Sequence, residues 1–197
     1  MDHAQIFDRI YMHNLWRGGS GNGSTEKNTR QYRWFLQNFL KSNQVKSVLD
    51  LGCGDWQFSK HLDWTGIDYL GVDVSAVVLK NTKTFTKPGI AFRELNAVTD
   101  QLPPADVLIA KDVLQHWGNA DILSFLPKLT SFRVALITNG FNPEKMDKVN
   151  LDINPGEWRP VDLQKSPFNV PGSYVYWSTA GEPKYVFLWS NPRTAPY

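Results

Sequence analysis

Two periods of apolar residues run through the 197-residue chain, one helical and one of short strands. Over residues 1–17, Ile6, Phe7 and Ile10 fall on one face of a helix. A polar loop, RGGSGNGSTEKN, follows and holds four of the chain's 14 glycines. Beyond it, Tyr32, Phe35, Leu36, Phe39 and Leu40 recur at i, i+3, i+4, i+7 and i+8, the apolar stripe of a helix lying on a sheet. Ser24 or Thr25 is placed to cap that helix, with Glu26 in its first turn. From residue 45 the period shortens: VKSVLDLG, YLGVDV, IAFREL, ADVLIA and VALIT read as five strands. SAVVLKNTKTF and NADILSFLPKL between them have helical spacing, with Ser75 and Asn119 as caps, and QFSKHL is a shorter helical piece. Strands alternating with helices predict a parallel sheet covered on both faces. A proline-rich stretch then leads to SYVYWSTAGEPKYVFLW, two aromatic β-runs joined through Gly181 and Pro183. The expected fold is therefore a three-layer α/β sandwich whose seven-stranded, mostly parallel sheet ends in a C-terminal antiparallel hairpin. The long excursion between its fifth and sixth strands is of the kind that carries function.

Composition narrows the classes of function. Lys+Arg 21 against Asp+Glu 19 gives a net charge of +2, too small to imply a nucleic-acid partner. One cysteine, Cys53, excludes an intrachain disulfide, and four scattered histidines argue against a structural zinc. No apolar run approaches the roughly 20 residues of a membrane span. The charged N-terminal segment is unlike a secretory signal, so the expectation is a cytoplasmic protein without a membrane partner. Oligomeric state is not legible. The aromatic load is high, with Trp 8, Tyr 7 and Phe 11.

LDLGCGDW is the sharpest chemical signal. An apolar strand ends at Asp50, and Gly52 and Gly54 occupy a turn expected to open a helix, where free N–H groups suit an anion. Asp73 closes the second strand 23 residues after Asp50 (73 − 50), where a nucleotide ribose would be held by its hydroxyls. A dinucleotide fingerprint requires glycine at position 57, and the chain has Gln57. An acidic residue just before the first glycine suits a cofactor carrying an amine. S-adenosylmethionine has that amine, together with a carboxylate and a ribose but no pyrophosphate. A structural turn without ligand is the alternative.

VLDLGCGDW, YLGVDVS, FRELNAVTDQLPPADVLIAKDVLQHW and ALITNG together resemble the ordered motifs of class I S-adenosylmethionine-dependent methyltransferases, over residues 45–140. WRGGSGNGST and NLDINPGEWRPVDLQKSPFNVPG resemble a small stand-alone bacterial subgroup with no assigned substrate. The resemblance implies a Rossmann-like fold. It also implies one domain over 1–197: N-terminal helices and a glycine-rich lid (1–44), a cofactor-binding core (45–140), a substrate loop (141–172) and a closing hairpin (173–197). It further implies that Asp50, Gly52 and Gly54 hold the methionine end of the cofactor and Asp73 the ribose, with Cys53 a small buried filler. Asn96 stands where the family often has an acidic residue, so Asn96 and Ala97 would contact the adenine, with Asp100 as a fallback acceptor. Trp56 replaces a further glycine of the turn.

The acceptor side rests on AKDVLQHW at the C-terminal edge of the sheet. Methyl transfer to oxygen or nitrogen needs alignment and a base rather than a metal. His116 suits a base at neutral pH, against the alternative of a packing histidine. Asp112, four residues earlier, would share its helical face and orient it or bind an acceptor amine, against the alternative of a helix cap. Lys111 is grouped with the cofactor side as a partner for an anion, though a strand-end lysine more often snorkels to solvent. His3, His13 and His61 read as surface residues. Trp16, with Tyr11 and the glycine loop, is expected to close over the sulfonium. Trp117, Asn150, Trp158 and Arg159 are expected to shape the acceptor pocket, Arg159 as a carboxylate or phosphate clamp or as a loop salt bridge to Asp152. Trp34, Trp64, Trp177 and Trp189 read as core or edge packing. The Asn/Asp-Pro-Pro-aromatic motif usual in nucleic-acid amino methyltransferases is absent. The expected activity is methyl transfer from S-adenosylmethionine to oxygen or nitrogen of a small polar acceptor. The alternatives are a protein side-chain methyltransferase and a non-catalytic nucleotide-binding module.

Overall fold

A computed structural model describes residues 2–140, 148–179 and 183–193. The five apolar runs are parallel strands: β1 (Ser47–Leu51), β2 (Asp68–Asp73), β3 (Ile90–Glu94), β4 (Ala105–Lys111) and β5 (Phe132–Gly140). The aromatic runs form β6 (Ser173–Ser178) and β7 (Lys184–Ser190), and the sheet order is β3-β2-β1-β4-β5-β7-β6. β7 inserts between β5 and β6, antiparallel to both. The hairpin is therefore the predicted one, although its tip with Gly181 lies outside the described residues.

Strand alternation sorts the core into two layers. Leu49 and Leu51, with Val72, Leu108 and Ile137, face one side, where α1 (His3–Met12) brings Phe7 and Ile10 and α4 (Asn119–Phe125) brings Ile122 and Phe125. Val48, Tyr69, Val107 and Leu136 face the other, against α2 (Arg30–Ser42) and α3 (Ala76–Thr82). The stripe of α2 buries Tyr32, Leu36 and Leu40 there. Each fully buried leucine contributes on the order of 1.5–3 kcal/mol. Among the described residues no helix is long and apolar enough to cross a membrane.

Local expectations are corrected in four places. α2 begins at Arg30 behind Thr29, so neither Ser24 nor Thr25 caps it and Glu26 lies ahead of its first turn. Thr25 instead bonds the backbone of Asn22 within the glycine loop. Ser75 does cap α3, accepting from the Val78 N–H at 3.3 Å, but α4 is capped by Gly118 and Asn119 is already helical. No α-helix follows the glycine turn; a single 3-10 turn, Ser59–His61, stands there. Gly52, Gly54 and Trp56 all have positive φ, at 69°, 54° and 60°. Alternating left-handed residues cannot start a right-handed helix. For Trp56 that conformation costs roughly 1–2 kcal/mol, offset by burying its ring against Tyr69, Phe85 and Phe92. Finally, Trp64 and Trp189 are buried, but Trp34 is 68% exposed and packs in no core. Trp177 is exposed on the sheet edge, stacked on Tyr185.

Candidate functional site

The C-terminal ends of β1, β2 and β4 open into a cavity of about 230 Å³, roofed by α1 and the glycine loop. At one end the tips of β1 and β2 contribute Leu51, Gly52 and Asp73, and the loop after β3 contributes Leu95, Asn96 and Ala97. Each Asp73 carboxylate oxygen accepts one backbone N–H, Oδ1 from Ser75 at 3.0 Å and Oδ2 from Gly54 at 3.0 Å. A carboxylate has room for about four such bonds, so acceptor capacity remains on the cavity side. Burial raises the Asp73 pKa to about 6, against the lowering effect of those N–H donors. A β-carbon on Gly52 would lie 2.4 Å from Val113 Cγ2, so the turn has no room for a side chain there.

Several residues expected at this end point elsewhere. Asp50 shares the face of Val48, not of Leu51, because side chains alternate along β1. Its carboxylate is buried on the α2 side, accepting from Ser59 Oγ at 2.8 Å and Tyr69 Oη at 2.5 Å. Burial raises its pKa to about 6, with those two hydrogen bonds opposing. Gly54 does not line the cavity; a β-carbon there would meet Ser20 Oγ at 2.0 Å, so its bareness admits the glycine loop. Asn96 lines the cavity, but its Oδ1 already accepts from the Val98 N–H at 3.0 Å. Asp100 closes the same turn, accepting from the Asn96 N–H at 2.9 Å. Cys53 is buried and free.

The other end of the cavity is assembled from distant segments. Lys111 does not snorkel: its Nζ is buried, donating to Gly23 O at 2.9 Å and to Asp112 Oδ2 at 2.5 Å. Asp112 Oδ1 accepts from Lys184 Nζ at 2.6 Å. Burial alone would raise the Asp112 pKa, but the two lysines overcome it and hold it near 2. Burial lowers the Lys111 pKa, which Asp112 partly restores. Asp112 has φ 60° and the chain then enters a 3-10 turn, Leu114–His116. Asp112 and His116 therefore share no helical face, and the expected orienting contact is replaced by the ion pairs.

His116 is held instead by the excursion after β5. Its Nδ1 lies 2.9 Å from Glu157 O, and a carbonyl only accepts, so Nδ1 carries the proton and Nε2 is the bare nitrogen. The backbone repeats the brace: Gly156 N donates to His116 O at 2.9 Å and Arg159 N to Gln115 O at 3.2 Å. Gln115 Oε1 accepts from Gly140 N at 2.7 Å, which turns its amide nitrogen toward His116 Nε2, 3.4 Å away. Burial lowers the His116 pKa, with the Glu157 carbonyl opposing. The imidazole is therefore neutral at pH 7.

Trp16, Trp117 and Trp158 all line this cavity, Trp16 with its ring centroid 5.0 Å from that of His116. Arg159 does not line it. Its guanidinium donates to Leu151 O at 2.8 Å, Trp117 O at 3.0 Å and Asn119 Oδ1 at 2.7 Å, and the Asp152 carboxylate bonds the Asn119 N–H instead. Asn150 is likewise a strut, bonded to the backbone of Asp162 and Ser166. His13 and His61 are exposed, but His3 lines the cavity and pairs with Asp121 at 3.0 Å. Lys184 and Gln115 escaped sequence reasoning. Lys184 sits 72 residues from its partner, without a motif; Gln115 is adjacent to His116 and was the more findable.

Residues 49–131 match the family model described as a methyltransferase domain. The matched segment runs from β1 to the start of β5. Solved structures share the fold. Magnesium protoporphyrin IX methyltransferase from Synechocystis PCC 6803, crystallised with S-adenosylhomocysteine, superposes with TM-score 0.66 at 16% identity, over 95% of this chain and 98% of that one. The methyltransferase domain of bacterial CtHen1 gives 0.61 at 17%, over 83% and 99%. Human N-acetylserotonin methyltransferase gives 0.59 at 16%, over 95% and 59%. No curated protein matches the chain. The cavity has features that suit S-adenosylmethionine: Asp73 offers spare acceptor capacity at the β2 tip, and Gly52 keeps the β1 turn bare beside it.

Proposed function

We propose that this chain is a class I S-adenosylmethionine-dependent methyltransferase that acts on a hydroxyl or amine of a small polar acceptor, with His116 as the base. The observation that carries the reading is the imidazole at the cavity wall, its Nδ1–H fixed on Glu157 O, which leaves Nε2, 3.4 Å from the Gln115 amide nitrogen, as the basic nitrogen. When bound, S-adenosylmethionine supplies a methyl group on a positively charged sulfur. The protein's share is to align the acceptor and remove its proton. His116 Nε2 takes that proton, and the Glu157 carbonyl stabilises the imidazolium through Nδ1–H. Asp73 holds the ribose hydroxyls, Gly52 and the loop around Asn96 and Ala97 form the floor for the adenosine, and Lys111 anchors the glycine loop over the cavity through Gly23 O. Asp112 fixes the two lysines rather than the imidazole. Trp16, Trp117 and Trp158 exclude water and bound the acceptor.

A roofed cavity, rather than an open groove, favours a small molecule over a protein side chain. A cytoplasmic location accords with a single, unpaired cysteine. The test is a methyl-transfer screen with labelled S-adenosylmethionine across small phenols, carboxylic acids, amines and intact proteins. Turnover of a small hydroxyl or amine compound, lost in His116→Ala with S-adenosylhomocysteine still bound, is the expected result. Transfer to proteins alone, or full turnover by His116→Ala, overturns the assignment.

A further inference from the structure

The loop that follows β3 is held from behind by one lysine. Lys128 belongs to the 3-10 segment Leu126–Ser131 between α4 and β5, and it does not line the cavity. Its Nζ donates to three carbonyls of the loop: Ala97 O at 2.8 Å, Val98 O at 2.7 Å and Asp100 O at 2.8 Å. An ammonium has three N–H donors, so all three are engaged. Three carbonyl oxygens that converge on one point repel one another, and a compact cation among them holds the backbone in that shape.

The rest of the loop nearly satisfies itself. Asn96 N donates to Asp100 Oδ2 at 2.9 Å and Val98 N to Asn96 Oδ1 at 3.0 Å. Thr99 N and Asp100 N donate to Asn96 O at 3.1 and 2.8 Å. Two groups are left over. The Ala97 N–H has no acceptor among the described residues, and Asn96 Oδ1 has a second lone pair. Both residues line the cavity. One donor beside one acceptor matches the edge of adenine, which offers N1 as acceptor and its 6-amino group as donor. Hypoxanthine presents the reverse, an N1–H donor and an O6 acceptor.

We propose that Lys128 is a positioning residue for cofactor selection: by clamping Ala97, Val98 and Asp100 it fixes the donor and acceptor with which the loop recognises an adenine base. The inference rests on the methyltransferase reading. The ribose side does not depend on the clamp, because Asp73 is set by the N–H groups of Gly54 and Ser75.

The test is calorimetric titration of the full chain with S-adenosylhomocysteine and S-inosylhomocysteine. The wild-type protein prefers the adenine compound by about tenfold, the loss expected when hydrogen-bonded groups are made to face their own kind. Lys128→Met keeps the aliphatic stem and removes the ammonium; it lowers the ratio to about threefold or less, by weakening S-adenosylhomocysteine. Lys128→Arg falls between the two, since a planar guanidinium does not serve three convergent carbonyls. A lysine that only supports the fold would lower the urea midpoint of Lys128→Met and leave the ratio at its wild-type value. That result overturns the proposal, as does a wild-type protein that binds both compounds equally. Lys128→Arg keeps the charge at this half-buried position, so if Lys128→Met does not fold, an unchanged ratio in Lys128→Arg overturns it. Failure of the wild type to bind S-adenosylhomocysteine overturns the methyltransferase reading and this inference with it, whereas binding with a ratio indifferent to Lys128 overturns this inference alone.

Discussion

The two ends of the cavity are built by different means. At the Asp73 end, the key contacts are backbone N–H groups of residues close in sequence to the strand tips, Gly54 and Ser75. At the His116 end, neighbours in sequence are tied to distant segments by long-range contacts: Glu157 to His116, Lys184 to Asp112, Gly23 to Lys111. A backbone-built site depends on turn geometry and tolerates change in the rest of the molecule. A site tied together from distant segments holds its shape only while the lid, the excursion and the hairpin are all docked.

The sharpest break of this contrast is His116→Ala. Loss of a general base lowers turnover by about 10²–10⁴-fold, while S-adenosylhomocysteine affinity stays unchanged by calorimetry. Undiminished turnover would reduce His116 to a packing residue. Next in size is Asp112→Ala, which leaves two lysine ammonium groups at the cavity without their shared carboxylate. Breaking a buried pair this way costs about 3–5 kcal/mol, read by urea denaturation. If the loss is under about 1 kcal/mol, the ion pairs behave as surface pairs do and the long-range end is less demanding than described.

At the other end, Asp73→Asn removes a charged acceptor while keeping the side chain's shape. S-adenosylhomocysteine binding weakens by about 10- to 100-fold, the worth of hydrogen bonds to a charged group, with turnover at saturating cofactor little changed. The mildest test is pH. Because burial raises the Asp73 pKa to about 6, the ionised acceptor form is present above that pH and is lost below it. Cofactor affinity is therefore flat at neutral pH and falls by up to about tenfold per pH unit below 6. Asp73→Asn flattens that profile. A fall that persists in the variant would point to another group, of which Asp50, also raised to about 6, is the first to examine.

Much of this was legible beforehand. Strand identity followed from short β-branched and aliphatic runs, and Asp73 and Gly52 from their positions at strand tips. Asp50 shows where the motif misled and the physics did not: two-residue alternation alone places it on the face of Val48, away from Leu51 and the cavity. Trp56 shows a genuine override of local preference, since a tryptophan takes a left-handed conformation for the burial of its ring. The role of Arg159 was open between a clamp and a strut, because a guanidinium serves equally well in either, and only its three oxygen partners decide.

Periodicity and turn chemistry act over a few residues, and so the sequence by itself determined the order of strands and helices, the glycine turn and the carboxylate at the second strand tip. Which lysine meets Asp112, what pins His116, and that Asn150 and Arg159 brace the excursion were decided by the tertiary structure. Those contacts join segments up to 88 residues apart, as Gly23 and Lys111 are. At such separations it is the packing of the excursion and the hairpin against the sheet, and not any local preference, that selects one partner from many chemically equivalent ones.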